Sequence, residues 1–63
     1  MEKLKDELLK NDMSYQNLAD LLGISIRAVQ YKMTGINDFK SSEIAIIKKR
    51  LKLSDKRTSE IFF

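Results

Sequence analysis

SYQNLADLLGISIRAVQYKMTG, running from Ser14 to Gly35, sets out two short helices separated by a glycine turn. Ser14 suits an N-cap, because its hydroxyl can accept from an orphan amide in the following turn, and Met13 before it can pack on Leu18 as a hydrophobic staple. The helix that follows runs to about Leu22. It carries Leu18, Leu21 and Leu22 on its buried stripe, with Ala19 small enough for another helix to approach closely. Gly23 is the residue best able to take the left-handed conformation that stops a helix. The device then repeats, with Ile24 before the cap, Ser25 as the cap and Val29 as the staple partner. The helix so begun turns Ala28, Val29 and Met33 inward and leaves Ile26, Arg27, Gln30 and Tyr31 outside, with Lys32 assigned to the same outer side. Thr34-Gly35 closes it.

Outside this stretch the helical pattern continues in both directions. Residues 2 to 10 place Leu4, Leu8 and Leu9 on one stripe among charged neighbours, and Asn11-Asp12 ends that helix. A loop from Ile36 to Lys40 leads to a fourth helix, capped by Ser41 or Ser42, with Ile44, Ile47 and Leu51 at helical spacing and Ile46 off the stripe. Leu53-Ser54-Asp55 restarts the chain as a short fifth helix ending in Ile61-Phe62-Phe63, where Ser54 and Asp55 complement the positive end of the helix dipole. No alternation long enough for a strand is present. The expected fold is all-α, five helices in a single domain spanning 1–63.

Composition narrows the chemistry. A domain of 63 residues buries only about 60% of the surface its unfolded chain exposes. With no Cys and no His, it lacks the usual disulfide and zinc staples, so stability must come from helix packing. The same absences remove the common general bases and soft metal ligands, and there is no glycine-rich phosphate loop, so catalysis, a cofactor, a metal and a small-molecule substrate are not expected. Twelve basic against nine acidic residues give a net charge of +3, a mild bias whose distribution matters more than its size. No apolar run approaches the roughly 18 residues of a membrane span, and acids interrupt the apolar positions of MEKLKDELLK, so a soluble intracellular protein is expected.

Two short helices crossed by an abrupt turn form the unit that presents one helix to a DNA major groove. Leu18-Ala19, Leu22-Gly23-Ile24-Ser25, Val29 and Gly35 resemble the lambda-repressor-like, Cro/cI-type helix-turn-helix family of phage repressors and bacterial regulators. Gly35-Ile36-Asn37-Asp38-Phe39, Ser42-Glu43-Ile44, Leu53-Ser54 and the closing Ile61-Phe62-Phe63 are similar to a branch of short phage- or prophage-encoded members. The resemblance implies a five-helix lambda-repressor-like DNA-binding domain, its motif at about 14–35. The implied function is a Cro-like, sequence-specific repressor of double-stranded DNA operators, a homodimer at least on DNA, in the bacterial cytoplasm and associated with the nucleoid. Two positions depart from the family pattern. Tyr15 stands where members often open the second helix with Gln, and Gln16 follows it. Lys32 stands at a usual apolar position, and Met33 supplies the apolar group.

On the residues themselves, the base-reading candidates are Ser25, Ile26, Arg27, Gln30 and Tyr31. Arg27 can offer two donors to a guanine edge, Gln30 can pair with an adenine edge, and Ile26 can meet a thymine methyl. Tyr15, Gln16, Lys32, Asn37 and Lys40 are candidates for the sugar-phosphate backbone. Lys48-Lys49-Arg50 sits at a helix end where cations complement the dipole, and is read as solvated surface. Ile61, Phe62 and Phe63 either finish the monomer core or form a self-complementary dimer patch. Two rival readings use the same chain: a protein-interaction module, acting as antirepressor or modulator, and a basic amphipathic protein on a membrane surface. The second is the weaker, because mutual packing accounts better for the apolar stripes.

Overall fold

Serine hydroxyls start three of the helices. The computed structural model describes all residues from Met1 to Phe63, arranged as α1 (Glu2–Lys10), α2 (Tyr15–Leu22), α3 (Ile26–Met33), α4 (Ser41–Leu51) and α5 (Asp55–Phe62), with no strand. Ser14, Ser25 and Ser54 accept hydrogen bonds from the amides of Asn17, Ala28 and Arg57 at 3.0, 3.1 and 3.0 Å. At α2 the cap is reciprocal, since the Ser14 amide donates to Asn17 Oδ1 at 3.0 Å.

The α2–α3 turn rests on Gly23, whose φ of 69° lies in the left-handed region. There the Ile24 amide donates back to the Ala19 carbonyl at 3.0 Å, closing the end of α2. A methyl group on Gly23 would meet no atom within 4 Å. The glycine is therefore required by backbone conformation and not by space.

α4 departs from the expected start. Neither Ser41 nor Ser42 caps it. Lys40 occupies the cap position, and Glu43 reaches back so that its Oε1 accepts the Lys40 amide at 2.8 Å. A carboxylate three residues into a helix can satisfy the capping amide by itself, which leaves Ser41 as an ordinary first-turn residue.

One cluster takes side chains from every helix: Leu4 and Leu8, Leu18 and Ala19, Val29 and Met33, Ile47 and Leu51, and Ile61. α2 packs chiefly on α3, α1 on α5, and α4 on α2 and α5. Leu9, placed on the first helix's buried stripe by sequence, is instead 69% exposed, and Glu7 takes the third inward position. On a 3.6-residue period Glu7 and Leu8 flank Leu4, about 60° to one side and 40° to the other, whereas Leu9 lies a further 100° or so beyond Leu8. The inward acid is neutralised across the fold, with Arg57 Nε donating to Glu7 Oε1 at 2.7 Å. That contact joins α1 to α5 and, with a second bond to Glu60, raises the Arg57 pKa above its ordinary value.

Candidate nucleic-acid interface

Packing of α3 onto α2 divides its surface into two arcs. At about 100° per residue, Ile26, Gln30, Arg27 and Tyr31 span an arc of about 140°, and Ala28, Val29 and Met33 lie on the opposite side. The exposures follow this division. Val29 and Met33 are buried, Ala28 is half-buried, and Ile26, Arg27, Gln30 and Tyr31 are exposed. Neither Arg27 nor Gln30 makes a side-chain hydrogen bond or an ion pair within the chain. A guanidinium and a carboxamide are thus held on a rigid helix with their donors directed to solvent.

Ser25, also assigned to base reading, is exposed at the start of α3, where its oxygen is engaged as the cap of the Ala28 amide. Its hydroxyl proton stays free to donate.

Lys32 corrects the sequence reading. The sequence puts it on the outer side as a backbone-contacting residue, but it is 8% exposed and falls in the inward arc between Ala28 and Val29. Its Nζ lies 3.0 Å from Glu43 Oε1, donates to the Asp38 carbonyl at 3.0 Å, and sits 5.7 Å from the centre of the Phe39 ring. An ammonium has three donors. The carboxylate, the carbonyl and the negative face of the ring supply the partners that make its burial tolerable. Lys32 fills an apolar slot with its stem and meets its counter-ion inside.

The other backbone candidates are distributed differently. Tyr15 is half-buried against the core, and Gln16 is exposed with its Nε2 donating to Asp20 Oδ1 at 3.0 Å. The Tyr15 and Gln16 amides have no acceptor in the chain, and no acidic residue lies in the first turn of α2. Such a helix end favours an anion. Asn37 and Lys40 are exposed in the loop after α3, which is tied to that helix because the Ile36 and Asn37 amides both donate to the Tyr31 carbonyl, at 2.9 and 3.2 Å.

The three residues named for a dimer patch separate. Ile61 belongs to the monomer core, and Phe62 is half-buried with its ring edge-to-face on Phe39, centroids 5.6 Å apart at 77°. Those two are accounted for within one protomer. Phe63 is 90% exposed and lines a groove with Met1, Phe39, Ile44 and Phe62 beside Asn37.

Sequence reasoning missed Glu43. It shares the i, i+4 spacing of Ile47 and Leu51, so an acid in an apolar stripe was the available signal of an inward basic partner. Burial, the largest influence on its carboxyl, works to raise its pKa, but the Lys40 amide and the Lys32 ammonium together outweigh that and hold it below the ordinary 4.5. A carboxylate lowered on folding stabilises the fold above its unfolded pKa and loses that contribution as pH falls through the lower folded value. Asp55, held low by its hydrogen bond from Lys48, acts in the same direction. Wild-type stability should therefore decline below about pH 4.5, while Glu43→Gln, which cannot ionise, declines less over that interval. Urea midpoints at neutral and acid pH check this, and equal acid sensitivity in both proteins would remove Glu43 from the account.

No His, Cys, Asp or Glu side chains gather in a group of three that could hold a metal ion, and no helix is long and apolar enough to cross a membrane. Comparison with protein-family models, curated proteins and solved structures finds no match to this chain.

Proposed function

We propose that this chain is a Cro-like, sequence-specific repressor that binds double-stranded DNA and reads operator half-sites with α3. The observation that carries the reading is the outer arc of α3, where Arg27 and Gln30 stand exposed and unpartnered on a helix whose other side is fixed in the core. In a major groove Arg27 would donate twice to a guanine edge, Gln30 would pair with adenine, and Ile26 would meet a thymine methyl, with Ser25 and Tyr31 at the margins. The free amides at the start of α2, together with Asn37 and Lys40, would grip phosphates on either side and set the register. Two protomers, joined through the groove that carries Phe63, would place their α3 helices about 34 Å apart on a near-palindromic site and so occlude RNA polymerase. The resemblance to the phage Cro/cI family supports a bacterial cytoplasmic setting.

A second reading has one observation in its favour. Phe63 and Ile36 are exposed beyond what solvation favours, at 90% and 69%, and would suit an interaction module that modulates another repressor. A salt titration on short duplex DNA of random sequence separates the two. A repressor's log affinity should fall linearly with log salt, by about 0.9 for each phosphate neutralised. Negligible affinity even at low salt would overturn the DNA reading and leave the interaction module.

A further inference from the structure

Lys32 and Glu43 take no part in the α3 surface described above, yet they are the most completely enclosed ion pair in the molecule, with side chains 10% and 9% exposed. We propose that this pair is a positioning device that fixes the loop from Ile36 to Lys40 at a set distance from α3, so that Asn37 and Lys40 meet phosphates while Arg27 and Gln30 meet bases. The inference rests on the DNA-binding reading and assigns residues that determine how its two kinds of contact are registered.

The connections are specific. One carboxylate oxygen, Glu43 Oε1, takes both the Lys32 ammonium at 3.0 Å and the Lys40 amide at 2.8 Å. The same ammonium holds the Asp38 carbonyl at 3.0 Å and lies over Phe39. Lys32 belongs to α3, Glu43 to α4, and Asp38, Phe39 and Lys40 to the loop between them. Three consecutive loop residues thus hang from one buried charge pair. Two neighbouring side chains, Asn37 and Lys40, point outward into solvent from that clamped segment.

An apolar side chain at position 32 would fill the same slot, and a buried ion pair is in general poor evidence for added stability. What an apolar residue cannot do is donate to a loop carbonyl and to the carboxylate that caps α4. The pair therefore acts on geometry: without it the loop keeps its two amide bonds to Tyr31 but loses the ties at Asp38 and Lys40, and Lys40 is free to drift from the phosphate line.

The experiment compares wild type with the double variant Lys32→Met/Glu43→Leu and with Glu43→Gln, which keeps the volume and an acceptor for the Lys40 amide while removing the charge that holds Lys32. Each is titrated with salt on random-sequence duplex DNA and then on sites recovered from a random pool. In the double variant the salt slope should become shallower by about 0.9 per protomer, as one phosphate contact is lost, with the preference for selected over random duplexes retained. Glu43→Gln, which keeps an acceptor for the Lys40 amide and leaves Lys32 on the Asp38 carbonyl, should keep more of the wild-type slope. Lys40→Ala should give the double variant's change in wild type and almost none in the double-variant background, since contacts in one network do not add.

An unchanged slope in a folded Lys32→Met/Glu43→Leu protein overturns the inference and leaves the DNA reading intact. Loss of sequence preference together with slope also overturns it, because the pair would then be orienting α3 itself. A wild-type chain without affinity for duplex DNA overturns both, and that result is seen before any variant is made.

Discussion

Leu18→Ala is expected to lower the stability of the fold by about 2–5 kcal/mol, enough at the upper end to unfold it at room temperature. Leu18 is fully enclosed, with no exposed surface, in the cluster to which every helix contributes. Truncating a buried leucine to alanine costs about 2–5 kcal/mol, the lost transfer energy plus the cavity that remains. At roughly 0.05–0.15 kcal/mol per residue, 63 residues give a total stability of only about 3–9 kcal/mol. The substitution thus removes between about a fifth and the whole of it. Neighbouring side chains have little scope to close the gap, because Leu18 stands on the helix that packs against α3 and α4 together. Far-ultraviolet circular dichroism through a urea titration reads the loss directly. Leu9→Ala is the control, since that residue lies in solvent and its truncation should stay within about 0.5 kcal/mol of wild type. A small shift for Leu18 or a large one for Leu9 would contradict the core as described.

The contrast between those two leucines shows what the sequence made legible. Helix boundaries were readable because their determinants are local. Ser14, Gly23, Ser25 and Ser54 act on amides and carbonyls within a few residues, and a hydroxyl or a bare Cα announces itself at those positions. The outer arc of α3 was readable for the same reason, since Ile26, Arg27, Gln30 and Tyr31 are sorted by helical period alone.

The charged residues in apolar slots obey the same period, but their charge argued against the inward positions it assigns them. Glu7 displaced Leu9 because its partner Arg57 lies 50 residues away, and Lys32 turned inward because Glu43 and the Asp38 carbonyl were waiting on other elements. In each case a local rule that places charge outside was overruled by a tertiary partner. Lys40 as a cap is a milder instance: the serines beside it have the higher capping preference, but the inward-facing Glu43 reaches back to the Lys40 amide and so fixes Lys40 as the residue before the first turn. The site therefore divides along the same line. Its base-facing side chains follow from period, while the arrangement of its phosphate-facing loop depends on contacts that only folding creates.

Arg27→Ala tests the base-facing half, and its effect should appear in binding alone. The side chain is exposed and has no partner in the chain, so the folded state loses nothing when it is truncated, and stability should move by less than about 0.5 kcal/mol. On the selected operator, by contrast, a bidentate contact to guanine is worth about 1–3 kcal/mol, a loss of roughly 5- to 150-fold in affinity. Preference at one base position per half-site should relax at the same time, and binding to random duplexes should fall much less. Arg27→Lys should recover only part of the loss, because a single ammonium cannot present the paired donors of a guanidinium. Selection from a random pool with each variant, followed by affinity measurements on the recovered sites, distinguishes the outcomes. Equal weakening on every sequence would move Arg27 to a phosphate, leaving Gln30 and Ile26 as the base readers. No weakening on any duplex would mean that the outer arc of α3 is not the surface that meets DNA, and the assignment built on it would fall.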